Sequence, residues 1–148
     1  MQNGQPSLTA LGAAIQRAAH QTLDDANIFK DAFARILLGR EADALIAAVS
    51  ADPAHQQMRI FMAARSRFAE DCLEAAVSRG VRQVVILGAG LDTFALRNPH
   101  ATLGLRVFEV DHPATQAWKR ERLAEAGLTT PESLTFAPVD FERQSLAE

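Results

Sequence analysis

Val84-Val85-Ile86-Leu87-Gly88-Ala89-Gly90-Leu91-Asp92-Thr93 is the stretch on which the fold turns. Its first four residues are apolar and mostly β-branched, the pattern of a parallel strand buried on both faces. Gly88 and Gly90 then give the backbone freedom for a tight turn that a ligand can approach closely. A strand that breaks into a glycine turn carrying an acid outlines a small-molecule site.

Working downstream, residues 92–96 form a short helical segment stopped by Asn98-Pro99. Residues 105–111 alternate as a second strand that ends in Asp111, and Pro113 opens a helix over 113–126 that Gly127 closes. Residues 133–139 read as a third strand, with Asp140 and Phe141 just past its end. Strands separated by helices indicate an α/β class with a parallel sheet.

Upstream, residues 1–80 read as a helical cap and 81–148 as the α/β part of one domain. Residues 1–7 form a loose polar terminus in which Ser7, or Thr9 beyond it, caps a first helix over 8–20. Leu11, Ala14, Ile15 and Ala18 make its apolar stripe, with Arg17 beside it. A second helix spans 28–38, burying Phe29, Phe33, Ile36 and Leu37 and stopping at Gly39. A third spans 41–49, and Pro53 turns the chain by disfavouring helical geometry at Asp52. The longest helix, 54–79, is expected to bury Ile60, Phe61, Ala64, Phe68, Cys72, Leu73, Ala76 and Val77. Arg65 and Arg67 within it read first as solvated surface.

The chain has 148 residues, 48% hydrophobic and 22% charged, as in one globular domain with a core. A net charge of -3 supplies no basic field for nucleic acid or an anionic membrane surface. The single cysteine, Cys72, rules out an intrachain disulfide and fits a reducing compartment. With no signal-like start and no apolar run of membrane length, the expected location is cytoplasmic. His20, His55, His100, His112 and Cys72 show no metal-ligand spacing, so no metal is expected.

The turn's chemistry narrows its ligand. In the dinucleotide fingerprint Gly-x-Gly-x-x-Gly the third glycine would fall at Thr93. Asp92 falls where a pyrophosphate would rest on the helix N-terminus, and a carboxylate there repels it. Asp111, 21 residues after Gly90, is placed to accept hydrogen bonds from ribose hydroxyls. Adenosine carrying a positive group and no phosphate fits best, which is the profile of S-adenosyl-L-methionine. An NAD-dependent oxidoreductase and a non-catalytic interaction or oligomerisation module are the rival readings.

QVVILGAGLDT at 83–93, the Arg97 that follows, and VFEVDHPATQAWKRERL at 107–123 resemble the leucine carboxyl methyltransferase family. Within it they are most similar to bacterial S-adenosylmethionine-dependent methyltransferases of O-methyltransferase type. The resemblance extends to FKDAFA at 29–34, ARSRFAEDCL at 64–73 and PVDFE at 138–142. It implies a Rossmann-like class I methyltransferase fold, here a three-strand parallel portion with N-terminal helical cover, truncated after the third strand. It further implies that Gly88, Ala89 and Gly90 pass under the methionine part of the cofactor. Asp111 would hold the ribose and Arg65 the cofactor carboxylate, with Arg17 a second carboxylate contact, while Asp140 and Phe141 would flank the adenine. Two positions depart from the family pattern: Asp31-Ala32 replaces a common Asp-Pro pair, and Phe94 stands where an arginine is usual.

Methyl transfer from a sulfonium is an in-line displacement, for which the protein supplies alignment. A carboxylate acceptor needs no base, whereas a hydroxyl needs one, with the histidines as candidates at neutral pH. His112 reads as structural. The partner is therefore a small-molecule acceptor or a carboxylate. The family's strand order places the first strand centrally, so this chain would leave residues 84–87 unpaired on one edge, a surface for self-association. The expectation is a fragment that at most binds cofactor weakly.

Overall fold

A computed structural model describes residues 7–145. Of the expected loose terminus, residues 1–6 lie outside the described residues. Strands β1 (Gln83–Leu87), β2 (Arg106–Asp111) and β3 (Leu134–Pro138) form a parallel sheet in the order β1-β2-β3. Val84 pairs with Val107, and Val107 with Leu134. That register puts Val84, Ile86, Val107, Glu109, Leu134 and Phe136 on one face, because side chains alternate along each strand. Leu73 and Val77 of α4 (Pro53–Ser78) cover this face together with Phe94 and Ala95 of α5 (Phe94–Arg97). Helix α6 (Pro113–Glu125) makes the β2-to-β3 crossover, with Pro113 in its first turn and the His112 ring accepting the Ala114 amide as its cap.

Helices α1 (Leu8–Leu23), α2 (Ala34–Leu38) and α3 (Ala42–Ser50) build a second cluster around Ala14, Ala18, Ala19, Leu37, Leu38 and Ile46. Ser7 caps α1 by accepting the Ala10 amide, and Asp52 caps α4 by accepting that of Ala54. Leu91 from the glycine turn and Leu123 from α6 belong to the same cluster. The helical cover and the α/β part thus share a core across residue 80, which seats α1 against the turn. No helix among the described residues is long and apolar enough to cross a membrane.

Three expectations are corrected. The helix expected over 28–38 is helical only at Ala34–Leu38. Upstream of it, side chains satisfy the backbone instead: His20 Nε2 accepts the Ile28 and Phe29 amides, each at 3.3 Å, and Asp31 Oδ1 accepts those of Phe33 and Ala34. These local bonds compete with helix formation. Phe29 is still buried, but Ile36 faces outward.

The buried face of α4 runs through Arg59, Ala63, Glu70, Leu73 and Val77, not through Phe61, Ala64, Phe68 and Cys72, which are exposed. Polar pairing sets the rotation. Arg59 turns inward to hold Asp24 and Glu70 turns inward to hold Arg97. Finally, β1 is covered on one face only. Val85 and Leu87 are each 56% exposed, because β1 is the edge strand of the described sheet and its helical cover lies on the Val84 and Ile86 side.

Candidate functional site

The glycine turn joins β1 to α5 at the carboxyl end of the sheet, where open α/β folds bind ligands. Gly88 and Gly90 take left-handed backbone angles, φ +63° and +53°. A Cβ on Gly90 would stand 2.8 Å from that of Ala10, so this glycine also lets α1 close over the turn.

The turn's amides are held from β2 and from within. Ala89 N–H donates to the Val110 carbonyl (3.2 Å), Gly90 N–H to Asp111 Oδ2 (2.5 Å) and Asp92 N–H to the Ala89 carbonyl (2.8 Å). The Phe94 amide donates to Asp92 Oδ1 at 2.7 Å. Asp111 Oδ1 accepts the His112 amide, which fixes the carboxylate at the rim. The carbonyls face cations: Leu91 O accepts from Arg17 Nη2 (2.6 Å) and Asp92 O from Lys119 Nζ (2.5 Å).

A cavity of about 520 Å³ opens beside the turn, bounded by the start of α1, by α4 and by Asp111. Three arginines line it. Arg17 is buried and pairs with Asp31 at 3.3 Å. Arg97 forks onto Glu70 with contacts of 2.7 and 3.1 Å and lies 5.0 Å over the Phe29 ring. Burial works against the Arg97 charge, but Glu70, Asp31 and Asp92 more than offset it and hold the guanidinium above its ordinary basicity. Arg65 differs from both. It is exposed, its guanidinium reaches the Met62 sulfur at 3.9 Å, and no carboxylate pairs with it among the described residues. It is the cavity's uncompensated cation.

Of the residues singled out in the sequence, Arg65, Gly88, Ala89, Gly90 and Asp111 line this one cavity. Arg17 lines it too, with its guanidinium engaged by Asp31 and the Leu91 carbonyl. Asp140 and Phe141 stand apart, beyond the end of β3 and outside the cavity lining. Asp140 Oδ1 accepts the Glu142 amide, and its other oxygen lies 3.9 Å from His112 Nε2. Phe141 is half exposed.

Two features escaped sequence reasoning. The Glu70–Arg97 pair joins α4 to α5 across the cavity wall. Glu109 and Lys119, each 1% exposed, form an ion pair at 2.5 Å inside the sheet–helix layer. Burial pushes the Glu109 carboxyl upward, Lys119 pulls it partly back, and Asp92 and Asp111 add to the rise. Glu109 Oε1 has no hydrogen-bond partner among the described residues. The available signal was an acid on the inward face of an otherwise apolar strand, which calls for a buried cation.

Residues 10–148 match the family model described as leucine carboxyl methyltransferase. The chain is 37% identical over 166 residues to the Bacillus subtilis (strain 168) protein named "Putative S-adenosyl-L-methionine-dependent methyltransferase YktD", covering 97% of this chain and 55% of that protein. It is 39% identical over 147 residues to a protein of Mycolicibacterium paratuberculosis (strain ATCC BAA-968 / K-10) named "Putative S-adenosyl-L-methionine-dependent methyltransferase", covering 90% and 45%. A Rhodococcus jostii (strain RHA1) protein with the same descriptive name is 38% identical over 137 residues, covering 90% and 46%. The chain therefore spans about half the length of the curated relatives it matches.

Proposed function

The chain belongs to the leucine carboxyl methyltransferase family, and from that premise we propose that its cavity binds S-adenosyl-L-methionine for methyl transfer to a carboxylate or hydroxyl oxygen of a small acceptor. The carrying observation is how the turn spends its hydrogen bonds. The amides of Ala89, Gly90, Asp92 and Phe94 are already committed within the protein, so they are not offered to a phosphate. Among the charged side chains that line the cavity are the Asp111 carboxylate and the Arg65 guanidinium, which no carboxylate pairs with among the described residues. That pair suits a ligand with vicinal hydroxyls at one end and a carboxylate at the other.

The residues present fit such a ligand. A Cβ built on Gly88 meets nothing within 4 Å, so the turn leaves open space for a close approach. Asp111 has acceptor capacity left after its bonds to Gly90 and His112, enough for ribose hydroxyls. Arg65 supplies a fork for the amino-acid carboxylate. When bound, the sulfonium supplies an electrophilic methyl group. The protein's part is to hold ligand and acceptor in line, with the clamped turn limiting reorganisation. Asp140 and Phe141, which lie outside the cavity lining, are given the adenine end on the family resemblance alone.

Calorimetric titration of the chain with S-adenosyl-L-methionine, S-adenosylhomocysteine and NADH tests this reading. Saturable binding of the two adenosyl ligands without NADH binding is expected. NADH binding alone, or no binding of either adenosyl ligand to folded protein, overturns it.

A further inference from the structure

The ion pair between Glu109 on β2 and Lys119 on α6 is an expensive way to join a strand to a helix. Both side chains are almost fully removed from water, and one Glu109 oxygen is left without a hydrogen-bond partner among the described residues. Desolvation of a buried pair commonly cancels its attraction, and apolar replacement of the whole pair is often neutral or stabilising. Stability alone is thus a weak reason for this pair.

The second contact of Lys119 supplies a better one. Its ammonium also donates to the Asp92 carbonyl, and Arg17 from α1 donates to the preceding Leu91 carbonyl. Two buried cations from two different helices therefore hold consecutive carbonyls of one turn. Asp111 holds the Gly90 amide of that same turn. Gln116, one helical turn before Lys119, donates to the carbonyls of Glu109 and Ala137, which fixes the register of α6 on both neighbouring strands. The ammonium is thereby delivered from a rigid platform.

We propose that Lys119 is a positioning residue: held by Glu109, it pins the Asp92 carbonyl and so preorganises the Gly88–Asp92 turn for the adenosyl ligand. Lys119 is absent from the cavity lining and acts only through the turn. This inference rests on the proposed function for its ligand but not for its geometry, and the test separates the two.

The test compares the parent chain with Lys119→Met, which strands a buried acid, and with Glu109→Leu/Lys119→Met, which removes the pair whole. Stability is read by urea unfolding. Turn order is read by amide hydrogen exchange without ligand, and affinity by calorimetry with S-adenosylhomocysteine. The double variant should regain most of the stability lost by Lys119→Met. Its Gly90, Asp92 and Phe94 amides should still exchange on the order of tenfold faster than in the parent, with a loss of affinity of roughly the same size. Parent-like exchange at those amides in the folded double variant overturns the positioning role, whatever the ligand does. Faster exchange with unchanged affinity overturns the link to binding. If the parent chain itself binds no S-adenosylhomocysteine, the proposed function fails while the exchange comparison still decides the role of Lys119.

Discussion

Replacing Asp111 by asparagine separates the job the structure shows for this carboxylate, holding the turn, from the one proposed for it, gripping the ribose. Its two oxygens accept the Gly90 amide at 2.5 Å and the His112 amide at 2.6 Å. An asparagine keeps one acceptor and turns its amide group toward the other N–H, so one charge-assisted bond is lost and two donors meet. Such a bond is worth about 1.5–3 kcal/mol net, and the half-buried site lets water recover part of that, so a stability loss of about 1.5 kcal/mol is expected in urea unfolding. Loss of the anionic acceptor for the ribose should weaken S-adenosylhomocysteine binding by roughly 10- to 100-fold. To assign the effect, the titration is repeated with the 2′,3′-dideoxyribose analogue. If Asp111 grips the hydroxyls, the parent-to-variant affinity ratio collapses for the analogue, as in a double-mutant cycle. If Asp111 only shapes the turn, the ratio is the same for both ligands. Parent-like affinity for S-adenosylhomocysteine in folded Asp111→Asn refutes both roles.

Arg65→Met should weaken S-adenosyl-L-methionine binding about tenfold with little change in stability, because the side chain is exposed and has no acidic partner among the described residues. Methylthioadenosine, which lacks the carboxylate, should bind parent and variant alike in the same calorimeter. Gly90→Ala should cost about 2–3 kcal/mol in urea unfolding, since its new methyl meets Ala10 at 2.8 Å and φ is positive; Gly88→Ala, with open space around it, should cost about 1 kcal/mol. The Asp24 carboxyl is held below its ordinary value chiefly by the Arg59 hydrogen bonds, with burial opposing and His20 assisting. Its stabilisation should therefore be complete above the unfolded value near 3.8 and lost as pH falls through the lower folded value, a slope that Asp24→Asn removes from stability measured across pH 2.5–6. We further propose that the edge of β1 drives self-association, so light scattering should show Val85→Lys shifting the protein toward monomer; unchanged mass for an assembling parent would refute that route.

How much of this was legible in the sequence follows from the range of each interaction. The strand, the glycine turn, the second strand and its terminal acid are local patterns, and the structure shows them as β1, the turn, β2 and Asp111 within a residue or so. The inward side of α4 was not local. Two stripes share its helical period, and hydrophobicity picks the one through Phe61 and Phe68, while the ion pairs of Arg59 and Glu70 select the other. Residues 28–33 misled for a related reason: their apolar spacing suggests the start of a helix over 28–38, but His20 and Asp31 take the amides that would have made it. Val85 and Leu87 read as buried because the period of a strand says nothing about what covers each face.

The arginines show why a single position at the cavity suits an anionic ligand group. Arg17 and Arg97 are largely removed from water, and a buried guanidinium is tolerated only when a carboxylate and hydrogen bonds compensate it, as Asp31 and Glu70 do. A ligand carboxylate would have to displace those acids and leave them stranded, so both arginines serve the wall and the turn. Arg65 faces solvent, where an unpaired charge costs little before binding, and on the proposed reading it would exchange water for a forked contact with a ligand carboxylate. The same physics divides the acids. Asp31 and Glu70 answer buried cations, while Asp111 sits half exposed at the rim with two bonds made and acceptor capacity remaining. Asp92 also lines the cavity, with one carboxylate oxygen taken by the Phe94 amide, so the charges open to a ligand on the proposed reading are those of Arg65, Asp111 and Asp92.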